Sequence, residues 1–138
     1  MKKVFIDTNI LLDLIAHRRP FSKYAIMIFT QAEQKKIKLF TSSHTMAATH
    51  YLLQKWMAEK QLRQVLLNIL PFVQIIPIDS EMIKRGLQSK NKDFEDELQL
   101  QSAYSIKDMD CLITRNRKDY LHAVIPILTP DEFIRTMK

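Results

Sequence analysis

Residues 1–16, MKKVFIDTNILLDLIA, decide how this chain folds. Val4, Phe5 and Ile6 form an apolar run of strand length that stops on Asp7, and Ile10, Leu11, Leu14 and Ile15 then recur at helical spacing to Ala16. A strand from Lys3 to Ile6 running straight into a helix is the first half of a strand–helix–strand unit. Working outward, Pro20 ends that helix, and Ser22 is placed to cap a second one to about Lys36. IKLFTS (37–42) reads as strand two, followed by helices from His44 to about Glu59 and from Gln61 to Leu70, where Pro71 stops the pattern. FVQIIPI (72–78) reads as strand three. Asp79 or Ser80 caps a helix to about Lys90, a further helix runs from about Phe94 to Lys107, and DCLIT (110–114) and VIPIL (124–128) are strands four and five. Thr129, Pro130 and Glu132 stand where a capping box with a first-turn proline requires them. Strands that alternate with helices predict right-handed crossovers and an α/β fold, a three-layer α/β/α sandwich around a mostly parallel sheet of about five strands. One domain over residues 1–138 is expected, because no repeat, linker or low-complexity tract interrupts the pattern.

Composition removes several functions. Cys111 is the only cysteine, which excludes an internal disulfide framework and a thiolate zinc site and suits a reducing cytoplasm. Gly86 is the only glycine, too few for the phosphate-cradling loops of P-loop or dinucleotide-binding enzymes. No apolar run reaches the roughly 20 residues of a bilayer crossing, and Asp7 and Asp13 interrupt the N-terminal segment that would otherwise suggest export, so no membrane association is expected. The four histidines lack the spacing of a zinc enzyme. A formal charge of +6 favours a polyanionic partner, and nucleic acid is the natural one.

Asp7 is the unusual residue. In parallel sheets ligands gather beyond the carboxyl ends of strands, and Asp7 sits at that address on strand one. Taken alone it could simply cap the following helix. Its company argues otherwise. In KDFEDELQLQSAYSIKDMD (92–110), Asp96 shares an arc of the helical wheel with Leu100, Ala103 and Tyr104, Asp93 lies a turn earlier near the same stripe, and Glu95 points away. Glu95 and Glu97 are expected to stay in water as first-turn acids favoured by the helix dipole. A carboxylate on the inward face needs a pairing partner or a cation, and no basic residue shares that arc before Lys107. In DCLITRNRKDY (110–120), Thr114, Asn116 and Asp119 follow another apolar strand and reach the same sheet edge. Acids gathered there call for a positive ion, and hard oxygen ligands select Mg²⁺ or Mn²⁺. With a basic surface around it, such a centre suits phosphodiester cleavage by an activated water, with no covalent enzyme intermediate.

Together the segments FIDTNILLDLI (5–15), TSSHTMAATHYLL (41–53), DFEDELQLQSAY (93–104) and DCLITRNRKDY (110–120) resemble, in order and over nearly the whole chain, the PIN domain, the small ribonuclease fold best known from VapC toxins of toxin–antitoxin pairs. The resemblance implies a Mg²⁺- or Mn²⁺-dependent endoribonuclease with a toxin role, an antitoxin partner and a homodimer. It implies Asp7, Asp96 and Asp119 as catalytic acids and metal ligands, Asn116 as an alternative last member, and Thr8 and Asn9 as shapers of the loop. Asp93 is a substitute ligand, Thr114 a supporting residue, and Arg115, Arg117 and Lys118 candidate RNA contacts. Ala48 stands where the resemblance places a glutamate, which removes one ligand. The alternative expectation is therefore a PIN-like RNA-binding or protein-interaction module with weakened catalysis. A phosphatase-type site ranks lower, because Asn9 occupies the place of the second Asp in its DxDxT motif.

Overall fold

The computed structural model describes residues 1–137. Its elements in chain order are β1 (Lys2–Ile6), α1 (Thr8–Ala16), α2 (Ser22–Glu33), β2 (Ile37–Ser42), α3 (Ser43–Leu53), α4 (Glu59–Ile69), β3 (Gln74–Ile76), α5 (Ser80–Gln88), α6 (Phe94–Tyr104), β4 (Cys111–Ile113), β5 (Ile127–Leu128) and α7 (Pro130–Thr136). The strands form one sheet in the order β3-β2-β1-β4-β5, with every pairing parallel. β1 is central, and Val4, Phe5 and Ile6 are fully buried on a strand covered on both faces.

Alternation along β1 separates two cores. Val4 and Ile6 point to the side where Ile10 and Leu11 of α1, Ala25 and Ile28 of α2, Ile69 of α4 and Phe133 of α7 pack. Phe5 points to the other, against Met82 of α5 and Leu100 and Ala103 of α6. Helices thus cover both faces, as the α/β/α expectation requires. A Cβ on Gly86 would stand 3.1 Å from the Phe94 ring, so the glycine lets α5 and α6 close on each other.

Several boundaries differ from the sequence-based expectation. α2 ends at Glu33 because Lys35 turns the chain with a φ of 60°. α3 stops at Leu53, six residues short of Glu59, and a turn precedes α4. Asp79, not Ser80, caps α5 by accepting from the Met82 amide at 2.9 Å. Strand three shrinks to Gln74–Ile76 because Leu70–Phe72 form a 3₁₀ turn, and strand five keeps only two residues after Pro126. α6 ends at Tyr104 rather than Lys107. The box at Thr129 and Glu132 is formed as expected. No helix among the described residues is long and apolar enough to cross a membrane.

Candidate functional site

The sheet order brings the carboxyl ends of β1 and β4 side by side, so segments more than 100 residues apart in the chain meet beyond them. Asp7 leaves β1 there. Its amide still donates to the Ile113 carbonyl (3.0 Å), extending the ladder by one bond before α1 begins. The carboxylate is 9% exposed and accepts four hydrogen bonds: Oδ1 from the Thr8 amide (2.8 Å) and Gln99 Nε2 (3.1 Å), Oδ2 from the Thr114 hydroxyl (2.8 Å) and the Tyr120 hydroxyl (3.1 Å). Four donors converging on one carboxylate fix its orientation. Asp7 is therefore both the cap of α1 and the pivot of a polar network.

Asp96 reaches the same network. It lies on the first turn of α6, and the Tyr120 hydroxyl stands 3.5 Å from its Oδ1 while donating to Asp7. Burial pushes the Asp96 carboxyl up to about 7, and the charges of Asp93, Asp7 and Asp119 act in the same direction; only the Tyr120 hydroxyl favours ionisation. The same negative surroundings and its own burial push the Tyr120 phenol well above its ordinary range, so it remains a donor. Asp93 serves α6 as its N-cap, accepting from the Asp96 amide at 3.1 Å. Asp119, half-buried on the 3₁₀ turn Arg117–Tyr120, contributes its charge from the loop after β4.

Supporting residues tie the loops together. Thr114 accepts from Asn9 Nδ2 (3.2 Å) and the Asn116 amide (3.1 Å) while donating to Asp7, and Asn9 Oδ1 accepts from the Arg115 amide (3.3 Å). The Thr8 hydroxyl lies 3.2 Å from that of Thr45. Gln99 is 2% exposed and was not anticipated. One turn after Asp96, its amide donates to Asp7 and to the Thr45 hydroxyl (2.7 Å) and accepts from Ser42 Oγ (2.5 Å), locking α6, β1 and the start of α3 together. An uncharged polar residue amid apolar neighbours on a helix carries no sequence signal of that role beyond its own cost of burial.

The cleft these elements enclose has a volume of about 250 Å³, and its walls include Asp7, Asn9, His44, Ala48, Asp96 and Asn116. Ala48 faces the acids with a methyl group. Glu95 stays in water as expected, its side chain 72% exposed, and stands at the rim of the cleft with His44 3.7 Å away. Glu97 does not stay in water as expected: it is 5% exposed, held by Gln101 (2.9 Å), His122 (3.2 Å) and Asn91 (3.4 Å), because its side chain turns toward α6's own next turn and the loop after β4 rather than to solvent. Of the three basic candidates, Arg115 grips buried Asp13 through Nε (2.7 Å) and Nη2 (3.2 Å), Arg117 pairs with Glu132 (2.9 Å), and Lys118 is exposed.

Among the described residues no three His, Cys, Asp or Glu side chains are placed, as they stand, to hold a metal ion. The donors nonetheless suit a hard cation. They are all oxygen, and burial together with the charges of Asp93, Asp7 and Asp119 holds the Asp96 proton to about 7, a cost that a bound cation would relieve.

Fold and site together define a class: parallel α/β proteins with an acidic cleft beyond the carboxyl edge of the sheet. The chain belongs to the PIN domain family, whose pattern matches residues 3–118. It is 33% identical to Ribonuclease VapC1 of Aquifex aeolicus across 96% of this chain and 93% of that protein. A toxin–antitoxin complex from Klebsiella pneumoniae contains a chain with 27% identity and a TM-score of 0.60, over 92% of this chain and 97% of that one. VapBC2 from Rickettsia felis, bound to a DNA fragment from its promoter, shares the fold at 22% identity and a TM-score of 0.61, over 91% and 96% of the two chains.

Proposed function

We propose that this protein is an endoribonuclease that hydrolyses RNA phosphodiester bonds, acting as the toxin of a toxin–antitoxin pair. The observation that carries the reading is the Tyr120 hydroxyl, which joins Asp7 and Asp96 from widely separated parts of the chain at the carboxyl edge of the sheet. The relative named as a ribonuclease supports the reaction, and the neighbour solved as a toxin–antitoxin complex supports the partner.

Asp7, Asp96 and Asp119 would hold the ion, Mg²⁺ or Mn²⁺, with Asn116 at the rim and Asp93 as reserve. The chemistry supplied by the bound ion is acidification of water and neutralisation of charge on the phosphoryl oxygens. The chain itself does the positioning. Thr114, Tyr120 and Gln99 fix the direction of Asp7, Thr8 and Asn9 hold the loop, and Asp96 is left as the acid free to exchange its proton for a cation. Lys118, and Arg117 when it leaves Glu132, meet the RNA backbone. Arg115, bound to Asp13, contributes from a fixed position.

Asp7→Asn is expected to abolish Mn²⁺-dependent cleavage of RNA while the circular dichroism spectrum stays native. Equal cleavage by variant and wild type would end the proposal. Ala48 favours a second reading, a PIN-fold RNA-binding or protein-interaction module without turnover, because its methyl faces the cleft. Salt-sensitive RNA binding without cleavage across several divalent ions would select that reading. We infer that residues 1–138 act as one domain. Exposed Tyr51, Leu52 and Trp56 offer apolar surface for an antitoxin or a second copy, and a buried Cys111 thiol, pushed up to about 12, fits a cytoplasmic setting.

A further inference from the structure

A second depression opens at the same edge of the sheet. It has a volume of about 540 Å³ and is lined by Phe21, Lys23 and Tyr24 at the start of α2, Arg115 after β4, and Pro130 and Asp131 after β5. Arg115 lines this cavity while its neighbour Asn116 lines the acidic cleft, so the two share the loop after β4 as a common wall. A chain leaving the cleft across that loop arrives in the cavity.

We propose that this cavity is a nucleobase subsite, which receives a base of single-stranded RNA flanking the phosphate held in the acidic cleft. The inference rests on the nuclease reading and adds where the rest of the substrate lies. Its floor is aromatic. Phe21 is 38% exposed, with the Arg115 guanidinium carbon 4.2 Å from its ring centroid, and Lys23 Nζ lies 4.9 Å from the centroid of Tyr24. Rings beside cations suit bases of any identity, since every base has a face to stack and a phosphate to neutralise.

Arg115 is the anchor. Asp13, 1% exposed, engages its Nε and Nη2 and Phe21 stacks on one face of the guanidinium, which leaves Nη1 as the donor held in a fixed orientation. Exposed Arg18 and Arg19 lie just before Phe21 in the chain, and neither forms an ion pair among the described residues. Asp131, the acid of the lining, accepts from the Thr129 hydroxyl (2.7 Å) and pairs with Arg135 (3.4 Å), which reduces its repulsion of a phosphate. The charge around the cavity therefore suits a polyanion.

The test measures binding of a fluorescently labelled single-stranded RNA oligomer to the full chain in EDTA, where turnover is suppressed. Phe21→Ala and Tyr24→Ala are each expected to weaken binding about tenfold at fixed salt, the scale of losing one stacked base, with an unchanged slope against salt concentration. In Mn²⁺ the same variants should raise KM and retain kcat. Because Phe21 also packs on Arg115, a second variant guards against misfolding. Phe21→Trp, in a Trp56→Phe background that removes the sole native tryptophan, should keep wild-type affinity and show quenched indole fluorescence when RNA is added. Unchanged affinity of the alanine variants, or an indole that RNA does not quench, overturns the subsite. Loss of a protein partner instead of RNA assigns the cavity to that partner and overturns it too. If the wild type fails to cleave yet Phe21→Ala still loses RNA, the subsite stands and the nuclease reading falls; if the wild type cleaves and the variant binds and cleaves equally well, the subsite falls alone.

Discussion

Asp96 binds its proton more tightly in the native state than in the unfolded chain, because burial and the charges of Asp93, Asp7 and Asp119 all oppose ionisation. Its native value of about 7 lies above the ordinary 3.8, so the stability it provides is complete at low pH and is withdrawn as pH rises from the lower value through the upper. The metal-free protein should therefore show a falling Tm between about pH 4 and about pH 8. Asp96→Asn should flatten that fall and raise the metal-free Tm at the alkaline end while removing cleavage, the stability–activity trade of a strained site. A Tm for Asp96→Asn no higher than wild type at that pH would contradict this account of the cleft. Tyr120→Phe takes one charge-assisted donor from Asp7 and is expected to cost roughly 1.5–3 kcal/mol of native stability, read from denaturant midpoints, with a lower kcat and an unchanged KM. Asp7 and Asp96 were legible in the sequence because each breaks an apolar pattern. Tyr120 and Gln99 were not, since both look like ordinary core or helix residues until the fold brings Asp7 to them across 113 and 92 positions.

Between elements, the Asp13–Arg115 pair joins α1 to the loop after β4. Burial pushes the Asp13 carboxyl up, and Arg115 pulls it back down through a hydrogen bond and its charge. Removing the cation by Arg115→Met leaves an uncompensated buried acid and should cost about 3 kcal/mol, the lower end of the range for such breaks, because the Arg115 side chain keeps 24% of its exposure. Asp13→Leu combined with Arg115→Met should recover most of that loss. Denaturant unfolding of both variants checks the pair, and an additive double variant would show that the two do not interact. Element identities came through from apolar periodicity, and element ends did so less well. The turn after Leu53, the 3₁₀ turn at Leu70–Phe72 and the left-handed Lys35 depend on how neighbouring elements meet, which periodicity does not carry.

Over the whole molecule, strand order turns scattered residues into a site. The sequence contained the alternation that predicts a parallel sheet, but not the order β3-β2-β1-β4-β5, which puts Asp7 beside Thr114 and leaves the α2 side of the edge open for Phe21 and Tyr24. The basic excess was legible as a total. Its partition was not, since Arg115 and Arg117 are held in ion pairs whose partners appear only in three dimensions. With Lys118 and the arginines before Phe21 as the principal phosphate contacts, RNA affinity should fall about tenfold between roughly 50 and 200 mM salt, measured by fluorescence anisotropy; a flat salt response would remove the electrostatic part of the account. The central claim is that distant carboxylates converge on one divalent cation. Diffraction from crystals soaked in Mn²⁺, collected at the manganese absorption edge, tests it most directly. An anomalous peak bounded by Asp7, Asp96 and Asp119 is the predicted result, and manganese bound elsewhere, with that cleft lacking a peak, would contradict it.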